Sequence, residues 1–136
     1  MSEAASKSRP SSPFEQIGGA EVIAAIVGRF YDLMDEDPAY AELRAMHAAD
    51  LGPMRHSLAG WLTAWAGGPR NWFAENPGKC IMRSHRTLGI APKIAEQWID
   101  AMARSVSECG PTDRELARTL AEQLERIARA MVAPAD

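Results

Sequence analysis

At 136 residues, 46% hydrophobic and 24% charged, the chain has room for one domain with a useful core, which excludes a disordered or fibrous protein over most of its length. Its formal net charge is -3, with 15 Lys and Arg scattered among 18 Asp and Glu, so the basic footprint of a nucleic-acid partner is missing. The longest apolar run, Val22 to Val27, falls far short of the roughly 20 residues that span a bilayer, and no basic-then-apolar leader pattern opens the chain; a cytoplasmic protein without a membrane partner is expected.

Residues 1–13 are mostly Ser, Ala and Pro with little to bury and predict a loose N-terminal tail; the domain proper is expected over 14–133, with 134–136 as a C-terminal tail. Helical periodicity runs through the domain and strand alternation is nearly absent, so the fold class is all-α. Ile23, Ile26, Val27, Phe30, Tyr31 and Met34 share one face of a helix near 20–35, in which Gly28 suggests a close crossing by another helix. Asp37-Pro38 reads as a cap opening a short helical piece to Leu43 or Arg44, and a connector then presents His47. Asp50 is placed to cap a long helix with the stripe Leu51, Met54, Leu58, Trp61, Leu62 and Trp65, stopped by Gly67-Gly68-Pro69.

From Pro69 to Pro92 the pattern loosens to a turn at Asn76-Pro77-Gly78 and a short helix suggested by Ile81, His85 and Leu88. So long a weakly structured stretch in so small a domain points to something other than protein holding it. Pro92 opens a helix with the stripe Ile94, Trp98, Met102 and Val106, ended by Gly110-Pro111. Thr112-Asp113-Arg114-Glu115 reads as a capping box for a last helix carrying Leu116, Leu120, Leu124, Ile127 and Met131, expected to lie antiparallel to its predecessor. Cys80 and Cys109 are expected to be reduced and packed.

Tyr31, His85 and Trp98 place hydrogen-bonding tips on otherwise apolar stripes. Each alone is most simply a core residue with one satisfied polar atom. Taken together they say more. His85 has no carboxylate at i±4 and no second His within helical reach, so the local sequence supplies neither a catalytic dyad nor a multi-His metal site. A single neutral imidazole on a large apolar cavity suits a metal whose remaining ligands come from an organic ring, as in haem held by a proximal histidine. His56 lies one position off the apolar stripe and should face solvent. The competing class is a cofactor-free helical interaction module in which these residues are core and Trp61 or Trp72 anchors a protein partner.

The segments Phe14-Glu15-Gln16-Ile17-Gly18-Gly19, Arg29-Phe30-Tyr31, Trp65-Ala66-Gly67-Gly68-Pro69, Met82-Arg83-Ser84-His85 and Gln97-Trp98, in this order and spacing, resemble the truncated haemoglobins, specifically group II. The likeness covers approximately Phe14 to Met131. It implies a truncated globin fold, a two-over-two α-helical sandwich enclosing a non-covalent haem b, with the proximal helix largely replaced by a loop. It places the proximal iron ligand on His85, the distal tyrosine on Tyr31 and the distal tryptophan on Trp98, with His47 as a third polar distal residue. Met54 and Leu58 would face the bound gas as apolar residues, Met54 partly blocking its access. Arg83 would lie near a haem propionate, and Phe30, Trp61, Met82, Leu88, Ile90 and Ile94 would contact the haem.

The implied ligands are O2, NO, CO or peroxide. Bound O2 is a good acceptor, so the Tyr31 hydroxyl and the Trp98 N–H should slow its release, which favours O2 or NO chemistry or sensing over transport. Turnover as an NO dioxygenase or peroxidase would need an external reductase, because no nucleotide-binding fingerprint is present. Monomer and homodimer are both compatible with the helical faces.

Overall fold

The structure, a computed structural model, describes residues 12–86 and 88–132, and at Met82 and Arg86 the helical backbone alone. Among the described residues every regular element is helical: α1 (Pro13–Ile17), α2 (Gly19–Glu36), a 3-10 turn (Pro38–Tyr40), α3 (Ala41–Ala45), α4 (Gly52–Trp65), α5 (Asn71–Glu75), α6 (Ile81–Arg86), α7 (Pro92–Cys109) and α8 (Arg114–Ala130). Proline and glycine set the limits of α7. Pro92 opens α7 in its first turn and Gly110-Pro111 follows its last.

The caps refine the sequence reading. α1 begins at Pro13, inside the stretch expected to be loose, because Ser12 and Glu15 form a reciprocal capping box: the Glu15 N–H donates to Ser12 Oγ and the Ser12 N–H to Glu15 Oε1, each at 3.2 Å. The rest of that N-terminal tail, and 134–136 at the other end, lie outside the described residues. Asp37 caps the turn before α3 by accepting from the Ala39 N–H at 2.9 Å. The capping box expected from Thr112 is replaced by Asp113 alone, whose carboxylate accepts from the N–H groups of Glu115 at 3.0 Å and Leu116 at 3.3 Å. A carboxylate is favoured at a helix N-terminus by the dipole, and moving the start by one residue takes Glu115 out of reach of the reciprocal bond.

α2 packs against α4 and α7, and α7 against α8, giving two helix pairs laid over one another as the resemblance implies. α7 and α8 run antiparallel: Arg129 near the end of α8 pairs with Glu96 near the start of α7 at 2.6 Å, and Arg114 at the start of α8 donates to the Ser107 carbonyl at 3.2 Å. Ile26, Val27, Phe30 and Met34 of α2 meet Met102 and Val106 of α7 in the fully buried centre. Burying each such aliphatic or aromatic side chain contributes about 1.5–3 kcal/mol before the cost of ordering the chain. Ser105, also fully buried, is satisfied by donating to the Ala101 carbonyl at 2.9 Å.

Gly28 does not mark a close crossing, since a Cβ there would meet nothing within 4 Å. The close approach is at Gly60 of α4, where a Cβ would lie 3.3 Å from the Trp72 ring. Cys80 and Cys109 form no disulfide; Cys80 is exposed rather than packed, because it precedes the short α6 on the molecular surface.

At Gly68 a Cβ would fall 2.7–2.9 Å from three carbons of the Phe14 ring, which is held by the Phe14 N–H donating to the Ala66 carbonyl at 2.8 Å. Gly68→Ala is therefore expected to destabilise the fold by about 1–3 kcal/mol, an overpacking cost read as a lower urea midpoint at unchanged slope.

Candidate functional site

Between the helix pairs lies a cavity of about 440 Å³, well within the range of small-molecule and cofactor pockets. α2 contributes Tyr31, the connector after α3 contributes His47, and α4 contributes Met54, Leu58, Trp61 and Leu62. α6 and the segment after it supply Ile81, Ser84, His85, Leu88 and Ile90, while α7 supplies Ile94 and Trp98. The lining is mostly apolar, and three of its apolar side chains are exposed at the rim: Met46 (45%), Met54 (38%) and Leu88 (60%). Large exposed apolar residues gathered at one opening mark a binding site better than scattered ones do.

The polar groups are few and specific. His85 Nδ1 lies 2.7 Å from the Ile81 carbonyl one helical turn earlier. A carbonyl can only accept, so Nδ1 carries the proton, and the lone pair of the neutral ring is left on Nε2. His47 repeats the arrangement, its Nδ1–H donating to the Leu43 carbonyl at 2.9 Å. Burial holds the His47 ring below the usual histidine range, with the Arg44 and His85 charges acting in the same direction against the raising effect of the Leu43 bond. A neutral His47 therefore offers the cavity an acceptor at Nε2.

Tyr31 is 3% exposed, and burial pushes its phenol up to about 12 despite the opposing Arg55 guanidinium, so the hydroxyl keeps its proton throughout the ordinary pH range. No other described residue engages that hydroxyl or the Trp98 indole N–H. Both rings are braced by Phe30, whose centroid lies 4.9 Å from Tyr31 and 5.3 Å from Trp98 in edge-on contacts. Phe30, expected to touch a cofactor, is itself fully buried and does not line the cavity, because it projects from α2 toward α7 one position away from the Tyr31 direction.

Trp61, Leu88, Ile90 and Ile94 do line the cavity, as do Met54 and Leu58; the Met82 side chain lies outside the described residues. Arg83 is exposed and away from the lining, whereas Lys79, which the sequence reading passed over, is the cation among the described lining residues and has Asn76 beside it. Trp72, offered as an anchor for a protein partner, is buried, and its indole N–H donates to Ser57 Oγ at 3.1 Å. His56 is exposed, with Nε2 3.2 Å from Glu75.

Among the described residues no group of three or more His, Cys, Asp or Glu could hold a metal by itself. Two imidazoles open at Nε2, two unengaged donors, a wide apolar lining and a cation near Asn76 instead fit a large apolar cofactor that brings most of its metal's ligands with it and carries acidic groups at an edge. No described helix is long and apolar enough to cross a membrane.

Residues 12–133 match the bacterial-like globin family. Among solved structures, a cold-adapted truncated hemoglobin from the Antarctic marine bacterium Pseudoalteromonas haloplanktis superposes with a TM-score of 0.86 at 26% identity, covering 92% of this chain and 100% of that one. A group II 2-on-2 hemoglobin from Agrobacterium tumefaciens gives 0.85 at 29% identity over 91% of this chain and 95% of its own. The group II truncated hemoglobin of Bacillus anthracis gives 0.81 at 27% identity, with 94% and 96% covered.

Proposed function

This chain belongs to the bacterial-like globin family and so to haem-binding proteins that take small diatomic ligands, and we propose that it holds haem b non-covalently through His85 and retains O2 beside Tyr31 and Trp98. The observation that carries this reading is the His85 ring, with Nδ1–H committed to the Ile81 carbonyl and Nε2 left open on an apolar cavity. When bound, the haem supplies a redox-active iron able to take O2, NO or CO. The Ile81 bond fixes the His85 tautomer and ring orientation and makes Nε2 a better donor of its lone pair. Lys79 and Asn76 are suited to the haem carboxylates.

On the gas side the Tyr31 hydroxyl and the Trp98 N–H can both donate to O2, which gains electron density on binding, while Met54 and Leu58 keep water from competing. Two donors favour long retention, which suits O2 or NO chemistry or sensing better than delivery. Turnover as an NO dioxygenase or a peroxidase would draw electrons from a separate reductase.

Adding hemin to the purified full chain should produce an intense Soret band that saturates at equimolar hemin, with binding of CO after reduction. Protein that stays colourless refutes the reading and returns the chain to the class of helical interaction modules.

A further inference from the structure

We propose that His47 is a second iron ligand: in the haem-loaded protein without gas, the imidazoles of His85 and His47 hold the metal together, and an incoming gas displaces His47. This rests on the reading of His85 above and extends it to a residue on the opposite side of the sequence's long central helix, in the connector before α4.

The two rings are prepared in the same way. Each lines the one cavity, and each donates its Nδ1–H to the carbonyl four residues earlier, His85 to Ile81 at 2.7 Å and His47 to Leu43 at 2.9 Å. Each therefore presents a neutral Nε2 lone pair, and no other described residue engages His47 Nε2. A neutral imidazole whose free nitrogen can only accept is poorly suited to stabilising a bound gas by donation and well suited to binding a metal. The exchange would be a ligand substitution on the reduced metal: the Nε2–metal bond breaks as the gas–metal bond forms, any electron density gained by O2 comes from the metal, and no proton moves.

The connector is built to hold that ring. Arg44 donates to the Ala48 carbonyl at 2.9 Å and to the Ala49 carbonyl at 3.0 Å, while its Nε pairs with Asp35 of α2 at 2.9 Å. Gln97, next to Trp98 on α7, accepts from the Leu43 N–H at 3.0 Å and so fixes the peptide segment whose carbonyl holds His47. Arg44 and Gln97 act as positioning residues for His47. Tyr31 is the rival ligand, its ring 6.1 Å from that of His47, but a phenol must first lose its proton to compete.

The test is absorption and electron paramagnetic resonance spectroscopy of the hemin-loaded full chain in the ferric state. The wild type should show a six-coordinate, low-spin, bis-imidazole spectrum, His47→Phe should lose it for a high-spin one, and Tyr31→Phe should keep it. Arg44→Gln, which loosens the connector without touching the ring, should give a mixture of the two. Added imidazole should return His47→Phe to low spin, which shows the variant folded with its sixth position open; a His47→Phe protein that takes no imidazole is replaced by His47→Leu for the same reading. A high-spin wild type, or a low-spin signal that survives His47→Phe and vanishes in Tyr31→Phe, overturns the assignment while leaving His85 as the haem ligand. Absence of any Soret band overturns both.

Discussion

Replacing Tyr31 with Phe is expected to accelerate O2 release from the reduced, haem-loaded protein by about ten- to a hundredfold. The hydroxyl faces the cavity without another described partner, and a hydrogen bond to a strongly polarised acceptor contributes about 1.5–3 kcal/mol. That free energy translates directly into residence time, tenfold for each 1.4 kcal/mol. Trp98→Phe removes the indole N–H while keeping an aromatic ring against Phe30 and should have an effect of the same order. Because both rings lean on Phe30, the double variant is expected to depart from the sum of the single ones, and the cycle measures that coupling. Stopped-flow displacement of O2 by CO gives each rate. An unchanged rate in both single variants would remove these residues from the gas site.

Removal of the His85 imidazole should have the second large effect. Altering only the partner of a metal-ligating histidine commonly costs ten- to a hundredfold in affinity, so losing the ligand itself should speed transfer of hemin to a scavenger by at least about tenfold. His85→Gly should also change the ferrous spectrum, and added imidazole should restore it by taking the position the side chain left. Retention and spectra like those of the wild type would mean that another residue binds the iron. The ring's own hydrogen bond is to a carbonyl within α6, so the substitution breaks no hydrogen bond between helices and should leave most of the helical circular dichroism intact.

The helical class is legible from its periodicity, and the limits of α4 and α7 from local punctuation: Pro92, Gly110-Pro111 and the Gly67-Gly68-Pro69 stop. The Ser12–Glu15 capping box is equally local, but it sits in a Pro- and Ser-rich stretch whose composition reads as a tail. α5 leaves no signal in the sequence because Asn71–Glu75 is too short to display a period, and it is held by Trp72 seated against Gly60 and Ser57 rather than by propensity. The candidate site was legible as residue types on stripes: Tyr31, His85 and Trp98 are polar tips where aliphatic ones are the rule. What could not be read was direction. Whether Phe30 faces a cavity or a neighbouring helix, whether Arg83 or Lys79 borders the opening, and which nitrogen of His47 is committed all depend on how the helices cross and on a backbone carbonyl that leaves no mark in sequence.

The bracing of Tyr31 and Trp98 by one buried ring gives the interior a share in the chemistry. Any substitution that reshapes the volume around Phe30 tilts two proton donors at once, so drift in packing far from solvent can retune how long a gas stays without altering a single residue that meets it. In such an architecture, selection for a firmer fold and selection for a faster or slower reaction act on the same few atoms, and neither can proceed without registering in the other.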